Sequence, residues 1–152
     1  MIFIAQTSAF APTTSSPNTP SFVRSQSNTQ RYNFIKWAGS VIEHWGKTAT
    51  ASHILITPKT WTSQEDAAAQ LSDLKVKIDN DPLKFAEYAA QISECPSSAQ
   101  GGDLGEFTPG RMVANFDKVC FEEEVGVVHG PVSTQFGEHL ILITQRTGDK
   151  EE

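Results

Sequence analysis

Apolar and polar positions alternate in short runs of this chain and follow a helical period in others. Ser52 to Thr57 is short and β-rich, and Pro58 ends it. Side chains alternate along a strand, so His53, Leu55 and Thr57 share one face while Ile54 and Ile56 take the other. Ser63 then reads as a helix cap, with Glu65 and Asp66 in the first turn, where negative charge suits the positive helix end. Ala67, Leu71, Leu74 and Ile78 follow at helical spacing as its buried stripe. Asp81-Pro82 opens a second helix with Phe85, Ala89 and Ile92 inward, and Cys95-Pro96 stops it. Gly101-Gly102 leads into a strand at Asp103 to Phe107, and Pro109-Gly110 turns the chain into a short helix near Asn115 to Phe121. Strands near Gly130 to Val132 and His139 to Thr144 close the pattern. The order β-α-α-β-α-β-β predicts an α+β fold, a small four-stranded mixed sheet surrounded by helices.

Composition divides the 152 residues unevenly. Residues 1–42 hold no Asp or Glu, carry Arg24, Arg31 and Lys36, and contain 12 Ser or Thr. The rest holds all 18 acids against nine bases, a net of −9. A change this sharp separates a tail from a domain. The reading is therefore a targeting leader or disordered linker at 1–47, a domain at 48–147 and an acidic tail at 148–152. The domain is long enough for one modest core. No run of 18 apolar residues exists, so the expectation is no membrane partner. The acidic balance argues against nucleic acid, whose phosphates need clustered Lys and Arg. Two cysteines, Cys95 and Cys120, are too few for a disulfide framework and read as reduced thiols.

The acid-free, Ser/Thr-rich start resembles an organellar transit peptide. Its Ser8-Ala9-Phe10-Ala11-Pro12 resembles the cleavage motif in bipartite leaders of algae with complex plastids, which implies a plastid. The apolar stretch before it, Ile2 to Ala5, is short, and a mitochondrial or cytoplasmic address stays open. Tyr32 to Trp45 is apolar for a linker, and two readings stand: a helix on the domain, or the end of the leader.

The chemistry concentrates in Ser93 to Phe107 (SECPSSAQGGDLGEF), in His53 of ASHILI, in His139 of TQFGEHLILI and in GEFTPGRMVANF. Taken singly, these residues are ordinary. Met112 and Phe116, four apart on a helix, read as core. A lone His reads as a satisfied core residue, and Cys with His reads as a hydrolase pairing. As a set, from about Thr50 to Gln145, they resemble the parvulin family of peptidyl-prolyl cis/trans isomerases.

That resemblance implies an FKBP-like fold whose first and last strands are central neighbours. It puts the proline ring in a slot made by Met112 and Phe116, with Leu104 beneath. Phe136 is either the far wall or an exposed turn aromatic. His53 and His139 become a paired polar floor, with Thr134 as a further link, and Cys95 faces the substrate carbonyl. Ser97 and Ser98 add hydrogen bonds or simply solvate the loop; Cys120 is packing. The reaction is rotation about an Xaa-Pro bond against a barrier of about 18–20 kcal/mol. It makes and breaks no covalent bond, so neither metal nor cofactor is implied, and the hydrolase reading ranks below. The partners implied are proline-containing segments of client proteins, met by a monomer. With only Lys59 after the first strand and no arginine pair, the chain resembles a single-domain parvulin without phosphate specificity. A binding module with little turnover is the competing reading.

Overall fold

The computed structural model describes residues 28–58 and 63–148. The leader motif at Ser8 to Pro12, Lys59 and the last four residues of the acidic tail lie outside the described residues. Helix α1 (Asn28–Glu43) is followed by β1 (Ala49–Ile56), α2 (Gln64–Ile78) and α3 (Pro82–Ile92). A 3₁₀ turn (Pro96–Gln100), β2 (Asp103–Phe107), α4 (Ala114–Glu122), β3 (Val128–Thr134) and β4 (Gly137–Arg146) complete the chain. No helix among the described residues is long and apolar enough to cross a membrane.

The four strands form one sheet in the order β2-β1-β4-β3, with β1 and β4 central. All three pairings are antiparallel. The sheet is therefore not mixed, as the element order alone suggested. Period-2 patterning fixes which face a strand buries but is silent on the direction of its neighbour.

Helices cover both faces. Ile54, Ile56, Leu140 and Leu142 meet Ala67, Leu71, Leu74 and Ile78 of α2 and Phe85 and Ala89 of α3. On the opposite face Ala49, Ala51, Ile141 and Ile143 meet Phe116, Cys120 and Phe121 of α4. The caps form as the sequence implies. Ser63 accepts the Asp66 N–H, and Asp81 accepts those of Leu83 and Lys84. Most of Tyr32 to Trp45 falls in α1. The helix is tied to α4, since the Ser40 hydroxyl donates to Glu122 at 3.0 Å and the His44 ring lies 6.0 Å from that of Phe121.

The 3₁₀ turn was not anticipated, because Cys95-Pro96 signals only the end of a helix. It is what brings the cysteine loop home. The Ser93 hydroxyl accepts the Leu55 N–H, the Glu94 N–H donates to the Leu55 carbonyl, and the His53 N–H donates to the Gly102 carbonyl. The loop thus takes over the edge of β1 where pairing with β2 ends at Ser52. Gly102 has φ +85°, and a Cβ there would overlap the His53 carbonyl oxygen. Gly105 has φ +66° with open space around it. Gly102→Ala is expected to lower stability by about 2–3 kcal/mol, combining overlap with strain. Gly105→Ala should lose only about 1–2 kcal/mol, from its left-handed backbone. Urea unfolding of both variants checks this, and equal losses would remove the close approach from the account.

Candidate active site

The antiparallel register sets Leu55 opposite His139 and His53 opposite Ile141, so the two histidines are diagonal neighbours on the α4 face. Their Nδ1 atoms lie 3.2 Å apart and the rings stack at 5.4 Å and 24°. A hydrogen bond at that distance needs one Nδ1 with a proton and one without. Thr134 extends the line. Its Oγ1 lies 2.8 Å from His139 Nε2 and accepts the Phe136 N–H at 3.1 Å. His53 Nε2 is buried without a partner.

Burial lowers both imidazoles to a pKa of about 4, and the neighbouring His53 adds to the effect on His139. Both rings are therefore neutral near pH 7. Phe116 stands on them. Its ring meets each imidazole edge-to-face, at 5.6 Å and 81° for His53 and 5.6 Å and 80° for His139.

Above this floor opens a cleft of about 520 Å³, in the size range of small-ligand sites. Met112, Phe116, Leu104, Phe136 and Cys95 all line it. Phe136 is thus both wall and exposed turn aromatic, at 54% exposure. His53, His139, Cys95, Leu104, Met112, Phe116 and Phe136 come together; Thr134 reaches the cleft only through His139. Ser97 does not line it. Its hydroxyl is buried without a partner, and its carbonyl accepts the Gly102 N–H. Cys120 is fully buried, its thiol pushed up to about 12 by burial first and Asp117 second, which makes it inert packing.

Three features escaped sequence reasoning. Leu55, Val113 and Arg111 also line the cleft. Asp117, buried beside Phe116 on α4, accepts the Gly110 N–H with both carboxylate oxygens at 3.1 and 3.0 Å, and so holds the loop that presents Met112. Burial raises its pKa, against the backbone N–H groups of Gly110 and Met112, which lower it. Glu138, 2% exposed, accepts from Gln64 Nε2 and Ser133 Oγ at 2.6 Å each, which fixes the β3–β4 turn bearing Phe136. An acid beside an aromatic reads as solvated surface in sequence, and only the fold shows which acids turn inward. Among the described residues no cluster of His, Cys, Asp and Glu is disposed to hold a metal.

An apolar slot over a neutral polar floor, on an antiparallel sheet with helices on both faces, suits a peptidyl-prolyl cis/trans isomerase. The model of the rotamase family, the PPIC-type isomerase domain, matches residues 53–145. The peptidyl-prolyl cis-trans isomerase pin1 of Rhizopus delemar is 34% identical over 124 residues, covering 74% of this chain and 83% of that protein. The chain belongs to the parvulin-type peptidyl-prolyl isomerases. The chaperone SurA of Thiobacillus denitrificans is 44% identical over 96 residues, 63% of this chain but only 22% of the chaperone. This chain thus spans about a fifth of that relative's length. The crystal structure of the isomerase PrsA from Bacillus anthracis superposes with a TM-score of 0.58 at 28% identity, over 78% of this chain and 52% of that one.

The lowered histidines make stability depend on pH. An unfolded chain protonates both near the ordinary 6.5 while the fold refuses protons until about 4. Unfolding therefore takes up protons between these values, so stability is level above 6.5 and falls as pH drops toward 4. Asp117, with its raised pKa, works in the opposite sense at the acid end. The urea midpoint is expected to fall steadily from pH 7 to pH 4.5, and to fall less in His139→Asn. A flat profile would mean that the histidines are not buried as a pair.

Proposed function

We propose that this domain catalyses cis/trans isomerisation of Xaa-Pro bonds in client segments by holding the twisted amide, without covalent chemistry. The observation that carries the reading is Phe116, seated edge-on over both imidazoles and facing the cleft with Met112. A proline ring against Met112, Phe116 and Leu104 is fixed while the preceding carbonyl stays free to turn. Amide planarity draws on a charge-separated resonance form that water stabilises. An apolar, water-poor cleft weakens that form and favours the twisted state. Each ~1.4 kcal/mol of such preference is worth tenfold in rate. Cys95 stands at the edge where the turning carbonyl passes, and its thiol acts on the carbonyl dipole rather than as a nucleophile. Neutral histidines serve as a rigid floor.

Substrates on this reading are proline-containing segments without a phosphate requirement, bound by a monomer. The chaperone and foldase names of the relatives support the second reading, a cleft that holds such segments with little turnover. A coupled isomerase assay on Xaa-Pro peptides decides between them. Clear acceleration by the full chain is expected. Met112→Ala and Phe116→Ala should reduce kcat/KM about tenfold or more, and Cys95→Ala should reduce it with the fold intact. Met112 sits on the partly exposed rim, so its variant remains informative if the larger cavity of Phe116→Ala unfolds the chain. Peptide binding without acceleration would move the chain to the second reading.

The acid-free segment and Ser8-Ala9-Phe10-Ala11-Pro12 support a plastid address. A fluorescent protein fused behind residues 1–47 should enter the plastid of an alga with complex plastids, and cytosolic fluorescence would overturn that address.

A further inference from the structure

Among the described residues, Arg111 is the one permanently charged side chain lining the cleft. It is exposed, next to Met112 in the loop that Asp117 holds from below. The nine other lining side chains are apolar, a thiol or the two imidazoles, and burial keeps the imidazoles neutral near pH 7. The Arg111 guanidinium forms no ion pair or side-chain hydrogen bond with a described residue. The two nearest acids in sequence are engaged elsewhere: Glu106 accepts the Thr48 hydroxyl, and Asp117 accepts backbone N–H groups. So a planar fork of donors stands unpaired at the rim of a low-dielectric slot, in a chain of net charge −6 that otherwise repels anions.

Resting on the isomerase reading above, we infer that Arg111 sets a substrate preference. The cleft favours client segments with a carboxylate side chain, Asp or Glu, directly flanking the proline. A guanidinium pairs a carboxylate through two parallel hydrogen bonds, and at an exposed rim such a pair contributes up to about 1 kcal/mol. One cation matches one carboxylate. A phosphate carries nearly twice that charge and calls for a second cation, and no other described side chain lining the cleft supplies one.

The test uses the full chain and peptide twins that differ only in Glu against Gln, placed either just before or just after the proline. At one of the two positions the Glu peptide is expected to show kcat/KM about fivefold above its Gln twin, the size of a rim ion pair. The ratio should fall to one or below in Arg111→Gln and invert in Arg111→Glu. Arg111 is exposed, so both variants should keep the parent's thermal midpoint. Equal turnover of the twins at both positions, or a preference surviving in Arg111→Gln, would overturn the inference. If no peptide is accelerated at all, the isomerase reading fails on its own account. Fluorescence-anisotropy Kd values for the same twins then decide: an Arg111-dependent gap supports the inference, and its absence overturns it.

Discussion

The cleft depends on the antiparallel pairing of β1 with β4. These strands come from opposite ends of the domain, and their register puts His53 opposite Ile141 and His139 opposite Leu55. A slip of either strand by one residue would turn its own histidine toward α2 and α3 and bring Ile54 or Leu140 to the cleft face, because the side-chain period is two. The register is held from both sides of the sheet. Ile54, Ile56, Leu140 and Leu142 are locked into one core, and Ala51, Ile141 and Ile143 into the other. Two opposed cores therefore support one 3.2 Å contact between imidazoles. Phe116 then takes its place by packing on that contact, and Met112 by the loop that Asp117 anchors. Slot, floor and sheet are one construction.

The second constraint is close approach at the edge of β1. Beyond Ser52 the strand loses its β2 partner, and His53 and Leu55 would present unpaired backbone groups beside the cleft. The segment Ser93 to Gly102 supplies those partners. In doing so it brings Cys95 to the histidines, a placement that follows from backbone satisfaction rather than from any property of the thiol. The absence of a Cβ at Gly102 is what allows the two backbones to meet.

Sequence made much of this visible, for identifiable reasons. Helices α2 and α3 show a helical apolar stripe and an oxygen-bearing cap, both local signals that the fold keeps. The histidines and the Met112/Phe116 pair were legible only as a set, since each alone reads as packing. Strand direction was not legible, because alternation says nothing of the neighbour, and the expected mixed sheet is antiparallel. The inward turn of Asp117 and Glu138 was hidden for a different reason. Their partners are a loop N–H and side chains on other elements, contacts without a sequence spacing of their own. Ser97 shows the converse. It lies in the most conspicuous stretch of the chain, yet its hydroxyl is buried away from the cleft while its carbonyl caps the turn.

The electrostatics decide what kind of catalyst this is. Histidines with pKa values of about 4 carry no proton to give near neutral pH, and their Nδ1 atoms are engaged with one another. A general-acid role would call for a pKa near the working pH and an open path to the amide nitrogen. With pKa values of about 4, the pair does not meet the first requirement. What it supplies is polarity without charge: a floor able to accept and donate hydrogen bonds that does not draw water into the slot as an imidazolium would. An apolar, uncharged slot lowers the resonance advantage of a planar amide over a twisted one, by a small part of the barrier of about 18–20 kcal/mol. Among the described lining residues, the one formal charge lies at exposed Arg111. On the proposed reading, it acts there on the flanking residues of a client without raising the polarity felt by the turning bond. On that reading, selection at the rim is separate from rotation over the floor, and each can vary without disturbing the other.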